Sequence, residues 1–256
     1  MTDTAANAAP AFKNAQILYK NTLLTSADDF SIALLGQEYL PQIIALHQQA
    51  IAALKDEEKA FMLPKGPDFF KDHFNRAGGN AVLGIISKDR LIGEAIILNP
   101  SDLHPQTGMT DMKPVGAPAT VTVLQGVTVL PEYRRNGLMH QMVHSWLNHA
   151  IQENKRHALA EVEVHNISSW SAFLNEGLQI TGIGRDPDDG ALLYNLHETL
   201  PGIMTKRLSH QFNHAASNST TCAIGDFKTQ QKMLEDGYAI SGWKKERKEF
   251  ILTPGF

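Results

Sequence analysis

Apolar positions along the chain switch between alternate spacing and three-to-four-residue spacing, the periods of strand and helix respectively. Residues 31–35 read as a short strand. Over 40–55, Ile43, Ile44, Leu46, Ile51 and Leu54 recur near helical spacing and predict a helix. Pro64 and the Lys65-Gly66-Pro67 run end it, and a second short helix is expected over 69–75. Strands are predicted at 81–87 and 91–98, joined by a hairpin turn at Lys88-Asp89-Arg90. The stretch 99–119 carries Pro100, Pro105, Gly108, Pro114, Gly116 and Pro118 among mainly polar residues. A loop of that length in a compact domain is usually functional or mobile. Residues 120–130 are rich in β-branched side chains and form the strongest strand candidate, stopped by Pro131.

The helical pattern is clearest over 137–153, where Met139, Met142, Val143, Trp146, Leu147, Ala150 and Ile151 build one apolar stripe. A strand at 158–165, a short helix at 168–175 with Gly177 in the C′ position, and a strand pair at 178–183 and 191–196 follow. Between the paired strands, Asp186-Pro187-Asp188-Asp189-Gly190 reads as a hairpin turn, with a cation site as the weaker alternative. Composition shifts near Leu200. The run 213–221 has linker character, and beyond it a helix at 227–234 and strands at 238–243 and 249–253 are expected. Leu174 to Gly182 and Leu234 to Gly242 share one rhythm of helix end, glycine, strand and glycine. Chance likeness of two helix–strand junctions is the simpler reading, and a partly duplicated module is the other.

The domain reading is a flexible tail (1–20), a main domain (21–200), a linker (201–221) and a small helix–strand–strand extension (222–256). With 256 residues, 43% hydrophobic and 20% charged, the chain has the composition of a globular protein. A net charge of -4 marks no surface for nucleic acid or anionic membrane. The single cysteine, Cys222, allows no intrachain disulfide. No run reaches the roughly 18 apolar residues of a membrane helix, and the start lacks the pattern of a signal peptide. A cytoplasmic location is the resulting expectation.

The chemistry concentrates where the strand 120–130 turns into the helix beginning at Gly137. A helix N-terminus offers unpaired N–H groups and the positive end of the peptide dipole, which together favour a phosphate. Gly137 lets an anion approach the backbone, and Arg134 and Arg135 add positive charge. One basic glycine turn is common on structural grounds alone.

Val127-Thr-Val-Leu-Pro-Glu-Tyr-Arg-Arg-Asn-Gly-Leu138 resembles the acyl-CoA-binding motif of the GNAT superfamily of N-acetyltransferases, in which Gln/Arg-x-x-Gly-x-Gly/Ala follows a strand ending in Val-x-Pro. Asn166-Ile-Ser-Ser169 through Phe173 to Gly177-Leu178 resembles the helix and strand that follow in that family. The element order from Ser31 to His197 agrees as well. The resemblance implies an α/β fold, with a mixed, mainly antiparallel central sheet flanked by helices and a small C-terminal α/β extension. It implies that Val127 and Val129 offer backbone groups to the pantetheine of acetyl-CoA. The backbone around Arg134, Arg135, Asn136, Gly137, Leu138 and Met139 would hold the pyrophosphate. Asn166 and Ser169 would contact the pantetheine or pyrophosphate from the next strand and helix, and Phe173 would also belong to the cofactor site. Helix N-capping is the structural alternative for Asn166 and Ser169.

Two positions depart from the family. Met139 stands where a second small residue is usual, so its side chain must turn away. Phe173 stands where many members carry a tyrosine acid, and it has no proton to give. Candidate bases are Glu163 and His165, which share a strand face with Glu161, and Glu94 within an apolar strand. His140 and His144 share a helix face and could in principle hold a metal, but a polar flank explains both, and no metal is expected. The implied function is transfer of an acetyl group from acetyl-CoA to a primary amine of a small molecule, amino acid or peptide. The alternative is a non-catalytic acyl-CoA-binding module whose C-terminal extension binds a partner. The partners expected are acetyl-CoA and an amine acceptor, with no nucleic acid, no membrane and a homodimer as an option.

Overall fold

The computed structural model describes residues 12, 14–61, 64–75, 79–110, 112–209 and 218–255. Residues 1–11 and 13 of the expected tail and 210–217 of the linker lie outside them. In chain order the elements are β1 (Gln16–Thr22), β2 (Asp29–Leu35), α1 (Leu40–Ala52), α2 (Pro67–Asn75), β3 (Ala81–Ser87), β4 (Arg90–Leu98), β5 (Val121–Val129) and α3 (Leu138–Gln152). There follow β6 (His157–Glu163), α4 (Ile167–Asn175), β7 (Gln179–Arg185), β8 (Leu192–Thr199), α5 (Leu200–Ser209), β9 (Thr220–Ala223), α6 (Phe227–Glu235), β10 (Tyr238–Lys244) and β11 (Glu249–Pro254).

These strands form one sheet in the order β1-β2-β3-β4-β5-β6-β8-β7-β10-β11-β9. The β5–β6 pair is parallel, and the other strand pairs are antiparallel. The expected mixed, mainly antiparallel sheet flanked by helices is therefore what the chain forms. Four local expectations are corrected. Gln16–Thr22 is strand β1 rather than tail, because it pairs along its length with β2. Leu200–Ser209 is helix α5 rather than linker, with Leu200 and Ile203 buried in the core. The C-terminal part opens with a strand, β9, which four residues give too short a pattern to reveal. Pro67 starts α2 instead of preceding it, at a helical position where its missing N–H costs nothing.

The helices take two sides. The stripe of α3 (Met142, Val143, Trp146, Leu147, Ala150) sinks into a large core with Ala158, Ala160, Val162 and Trp170. Each fully buried Met, Val or Leu side chain among them contributes about 1.5–3 kcal/mol. A second cluster joins Ile43, Leu46 and Ala50 of α1 to Phe70, Val82 and Ile96. The 99–119 loop is docked: Met109, Met112 and Val115 pack on Leu98, Val121, Val123 and Leu159. The Thr110 amide donates to Glu161 Oε1 at 2.8 Å, and Asn195 donates to the Thr110 carbonyl at 2.9 Å. Cys222 is buried in β9, and burial pushes its thiol up to about 11, away from thiolate chemistry.

The short sequence likeness extends into three dimensions, at a constant offset. Asn166 caps α4 through the Ser169 amide, and Asp226 caps α6 through the Thr229 amide. The Trp170 indole donates to the Val164 carbonyl, and the Gln230 amide donates to that of Ile224. Gly177 (φ 96°) and Gly237 (φ 88°) end the two helices in the left-handed region. Thr181 and Ser241 are the extra residues where β7 and β10 shift register against their partners. The two β-α-β-β units, β6-α4-β7-β8 and β9-α6-β10-β11, meet edge to edge where Ile180 faces Ile240. Those two residues are themselves equivalent by the same offset.

Candidate active site

The site begins with a parting of strands. β5 and β6 pair only over Val121–Leu124 and His157–Ala160. Against β4, Ile97 faces Leu124 while Ile96 faces Gly126, so Gln125 is an inserted residue. A bulge bends its strand and increases the local twist, and this one lies at the last β5–β6 pair. From Gln125 to Val129 the β5 backbone therefore turns an edge toward a cleft instead of toward β6. Such groups must find other partners. The Val129 carbonyl accepts from Arg134 Nε at 3.2 Å.

The chain then passes a single 3-10 turn at Pro131–Tyr133 and enters α3 through Arg135 (φ 67°) and Gly137 (φ 70°), both left-handed. Alternation of this kind gathers successive N–H groups on one side as an anion-binding concavity. A Cβ built on Gly137 would meet no atom within 4 Å, so glycine is required there by its positive φ, and the space before it is open. Asn136 is 5% exposed, and its side chain is spent on structure. It accepts from the Thr25 amide at 2.9 Å and donates to the Tyr133 carbonyl at 2.9 Å, tying the loop to the β1–β2 turn. Arg134 also reaches Glu58 Oε2 at 3.5 Å across the cleft mouth.

Burial limits what two of the expected cofactor residues can offer. Leu138 belongs to the core, leaving only its backbone for a ligand. Phe173 is 2% exposed and packs at right angles to Trp146, so its ring faces no cleft. Met139 packs against the same core, the orientation its place on the stripe predicts. Asn166 and Ser169 are joined as cap and capped amide at 3.2 Å, and Val127 and Val129 lie half-buried on the parted stretch of β5.

The candidate bases fall in different surroundings. Glu94, on β4, faces Thr128 across the β4–β5 pair, beside the residues that border the cleft. It is 1% exposed. Its Oε1 accepts from His47 Nδ1 of α1 at 2.6 Å, while the Lys65 amide donates into His47 Nε2 at 3.1 Å. That second bond leaves Nε2 without a proton, so the neutral ring carries its proton on Nδ1. Glu94 Oε2 has no hydrogen-bond partner among the described residues. Burial raises the Glu94 carboxyl, against the opposing pull of His47 and Lys65. Sequence marked Glu94 but gave no sign of His47, because α1 and β4 meet only in the fold. Glu163 and His165 form a local pair at 2.6 Å, and the second Glu163 oxygen accepts from the His165 amide at 2.7 Å. The His165 ring is 69% exposed.

His140 and His144 converge on Glu176, at 3.0 and 3.1 Å, where Arg207 of α5 joins them. The polar flank of α3 is thus an ion-pair cluster that fastens α5 and the end of α4. Among the described residues, no helix is long and apolar enough to cross a membrane.

By fold, the chain resembles several solved structures. The GNAT domain of PAT from S. lividans superposes with a TM-score of 0.51 at 14% identity, covering 71% of this chain and 96% of that one. An N-acetyltransferase from Staphylococcus aureus Mu50 gives 0.51 at 16%, covering 67% and 98%. The Salmonella typhimurium protein yncA, solved with its cofactor acetyl-CoA, gives 0.50 at 15%, covering 74% and 98%. No curated protein matches the chain by sequence. Residues 48–175, half of the chain, match the acetyltransferase (GNAT) family, and with the parted strand pair and the left-handed turn into α3 inside that span, the chain belongs to this family.

Proposed function

We propose that the chain transfers an acetyl group from acetyl-CoA to a primary amine, by direct attack within a ternary complex. The parting of β5 from β6 beside the left-handed turn at Gly137 carries this reading. The free edge of β5 at Val127 and Val129 would take the pantetheine arm as an added strand. The amides from Arg135 to Leu138, with the Arg134 and Arg135 guanidinium groups, would hold the pyrophosphate. The observed contacts fit that group: Arg134 now bonds the Val129 carbonyl and Glu58, both of which a bound anion and arm would replace. Asn166 would act from the N-terminus of α4, in addition to capping it.

Acetyl-CoA supplies an activated thioester carbonyl when bound. The chain must orient the amine and accept its proton. Glu94 suits the second task, because burial brings its carboxyl nearer neutrality and one oxygen is uncommitted. Glu163 is less suited, since both its oxygens are already engaged by His165. The acceptor is a small molecule, an amino acid or a peptide.

Titration calorimetry with acetyl-CoA, and thiol release with a panel of amines, test the reading. Glu94→Gln keeps the oxygen that accepts from His47 and removes the base. Turnover should fall by about a hundredfold with acetyl-CoA affinity unchanged, and unchanged turnover would remove Glu94 from the mechanism. The buried, hydroxyl-free Phe173 favours a second reading, a module that binds acyl-CoA without chemistry. That reading requires tight binding with no thiol release on any amine.

A further inference from the structure

The two β-α-β-β units repeat one framework but fill it unequally. Under α4 of the first unit, Trp170 packs edge-on against Trp243 at 5.2 Å and Phe250 at 5.0 Å, so aromatic rings occupy the space between α4 and β10–β11. At the matching place under α6, the counterpart of Trp170 is Gln230 and that of Trp243 is Ile183. Gln230 turns inward, accepting from the Tyr194 hydroxyl at 2.7 Å and donating to the Ala223 and Ile224 carbonyls at 3.0 and 2.7 Å. On this side an open pocket of about 500 Å³ lies between β7–β8 and α6, bordered by Ile183, while the fully buried Gln230 is not part of its wall.

Its lining has two characters. Ile183, Leu192 and Phe227 supply apolar surface, while Arg185 and Lys228 supply hydrogen-bond donors; the Gln231 amide, also in the wall, donates to Glu235 at 3.0 Å. No carboxylate lines it, and Asp226 beside it is committed to the Thr229 amide. Arg185 is oriented by a bond from Nη1 to the Gly190 carbonyl at 3.1 Å, leaving its other donors free to turn to a ligand. The Phe227 ring meets His165 edge-on at 5.7 Å, so the pocket adjoins the end of β6 and the start of α4.

We infer that residues 157–199 and 220–254 are two copies of one module, and that the place left unfilled in the second is a binding site for an anionic group carried on an apolar or aromatic body. Volume and composition match a small-ligand site, with an apolar wall and a few placed polar groups. The paired cations match carboxylate or phosphate. Two ligands carry that chemistry: an acceptor with its own anionic group, and the 3′-phosphoadenosine end of coenzyme A. The inference does not depend on acetyl transfer, since the site is defined by its own lining.

Phenyl phosphate is a direct probe, with benzyl alcohol as its uncharged control, read by amide chemical shifts of the full chain. Saturable shifts are expected at Ile183–Arg185 and Phe227–Lys228 with phenyl phosphate only. Arg185→Ala with Lys228→Ala should weaken binding at least about tenfold. Both side chains are at the surface, so this variant should fold. Ile183→Trp, which restores the bulk of its counterpart Trp243, should abolish the shifts while the remaining spectrum stays dispersed. Absence of saturable shifts up to roughly 10 mM, or binding indifferent to both variants, overturns the proposal. Competition by acetyl-CoA, weaker for its 3′-dephospho form, assigns the pocket to the cofactor end. Simultaneous binding with acetyl-CoA assigns it to the acceptor.

Discussion

The units β6-α4-β7-β8 and β9-α6-β10-β11 have the same caps, the same left-handed glycines and the same inserted residue before a glycine, yet only the first borders a cleft. The difference lies in the neighbours. β6 runs beside β5 for four residues and is then left by it, next to the basic turn into α3. β9 pairs with β11 on one side and, among the described residues, has no strand on its other edge. A β-α-β-β framework can thus be repeated intact without repeating its surroundings, because the left-handed turn and the parted edge belong to β5 and the entry to α3.

The largest test of this contrast removes charge from each region. Arg134→Ala with Arg135→Ala should weaken acetyl-CoA binding about a hundredfold by calorimetry. Lys244→Ala with Lys245→Ala, in the second unit, should leave it unchanged. Equal losses from the two would show a general electrostatic attraction rather than a site. Next come the glycines. Gly137→Ala and Gly237→Ala each force an alanine to positive φ and should each lose about 1–2 kcal/mol of stability in urea. Only Gly137→Ala should also lower acetyl-CoA affinity, by roughly tenfold.

Caps give a finer comparison. Asn166→Ala and Asp226→Ala should each cost about 1 kcal/mol by losing a bond to an N-terminal amide. If Asn166 also meets the cofactor, its variant alone will raise the acetyl-CoA dissociation constant. The smallest effect is one of pH, at the ends of the two equivalent helices. Glu176 holds His140 and raises its pKa, whereas the equivalent Asp236 pairs with Lys232 at the surface. A raised folded-state value means that His140 stabilises fully below its ordinary pKa, near 6.5, and that this contribution is lost as pH rises through the raised value. Thermal midpoints should therefore decline across that window in the parent chain and decline less in His140→Gln. Asp236→Asn should leave the slope alone.

The contrast also marks how far the chain could be read without its fold. Strands at β3, β4 and β5 and the helix α3 were legible because each repeats a strong local period, and the loop into α3 was legible because glycine and arginine stand at fixed places. β9 and β1 were not: one is four residues long, and the other is an edge strand with most of its positions exposed. Phe173 and Leu138 were identified by position in a motif, but a motif does not report which way a side chain points. Both point into the core. Asn136 was expected to lend its backbone to phosphate, and what the motif did not report is that its side chain is claimed by Thr25, 111 residues away.

By itself the sequence determined the element order, the family resemblance, the glycine at the start of α3 and the local rhythm of two helix–strand junctions. These depend on residues close together along the chain, where period, capping and φ preference act. Only the tertiary structure decided that Gln125 bulges and parts β5 from β6, that His47 and Lys65 converge on Glu94, and that the two junctions meet as Ile180 against Ile240. Each of these joins residues distant in sequence. Their energies come from burial and from hydrogen bonds completed across the sheet, which no local pattern records.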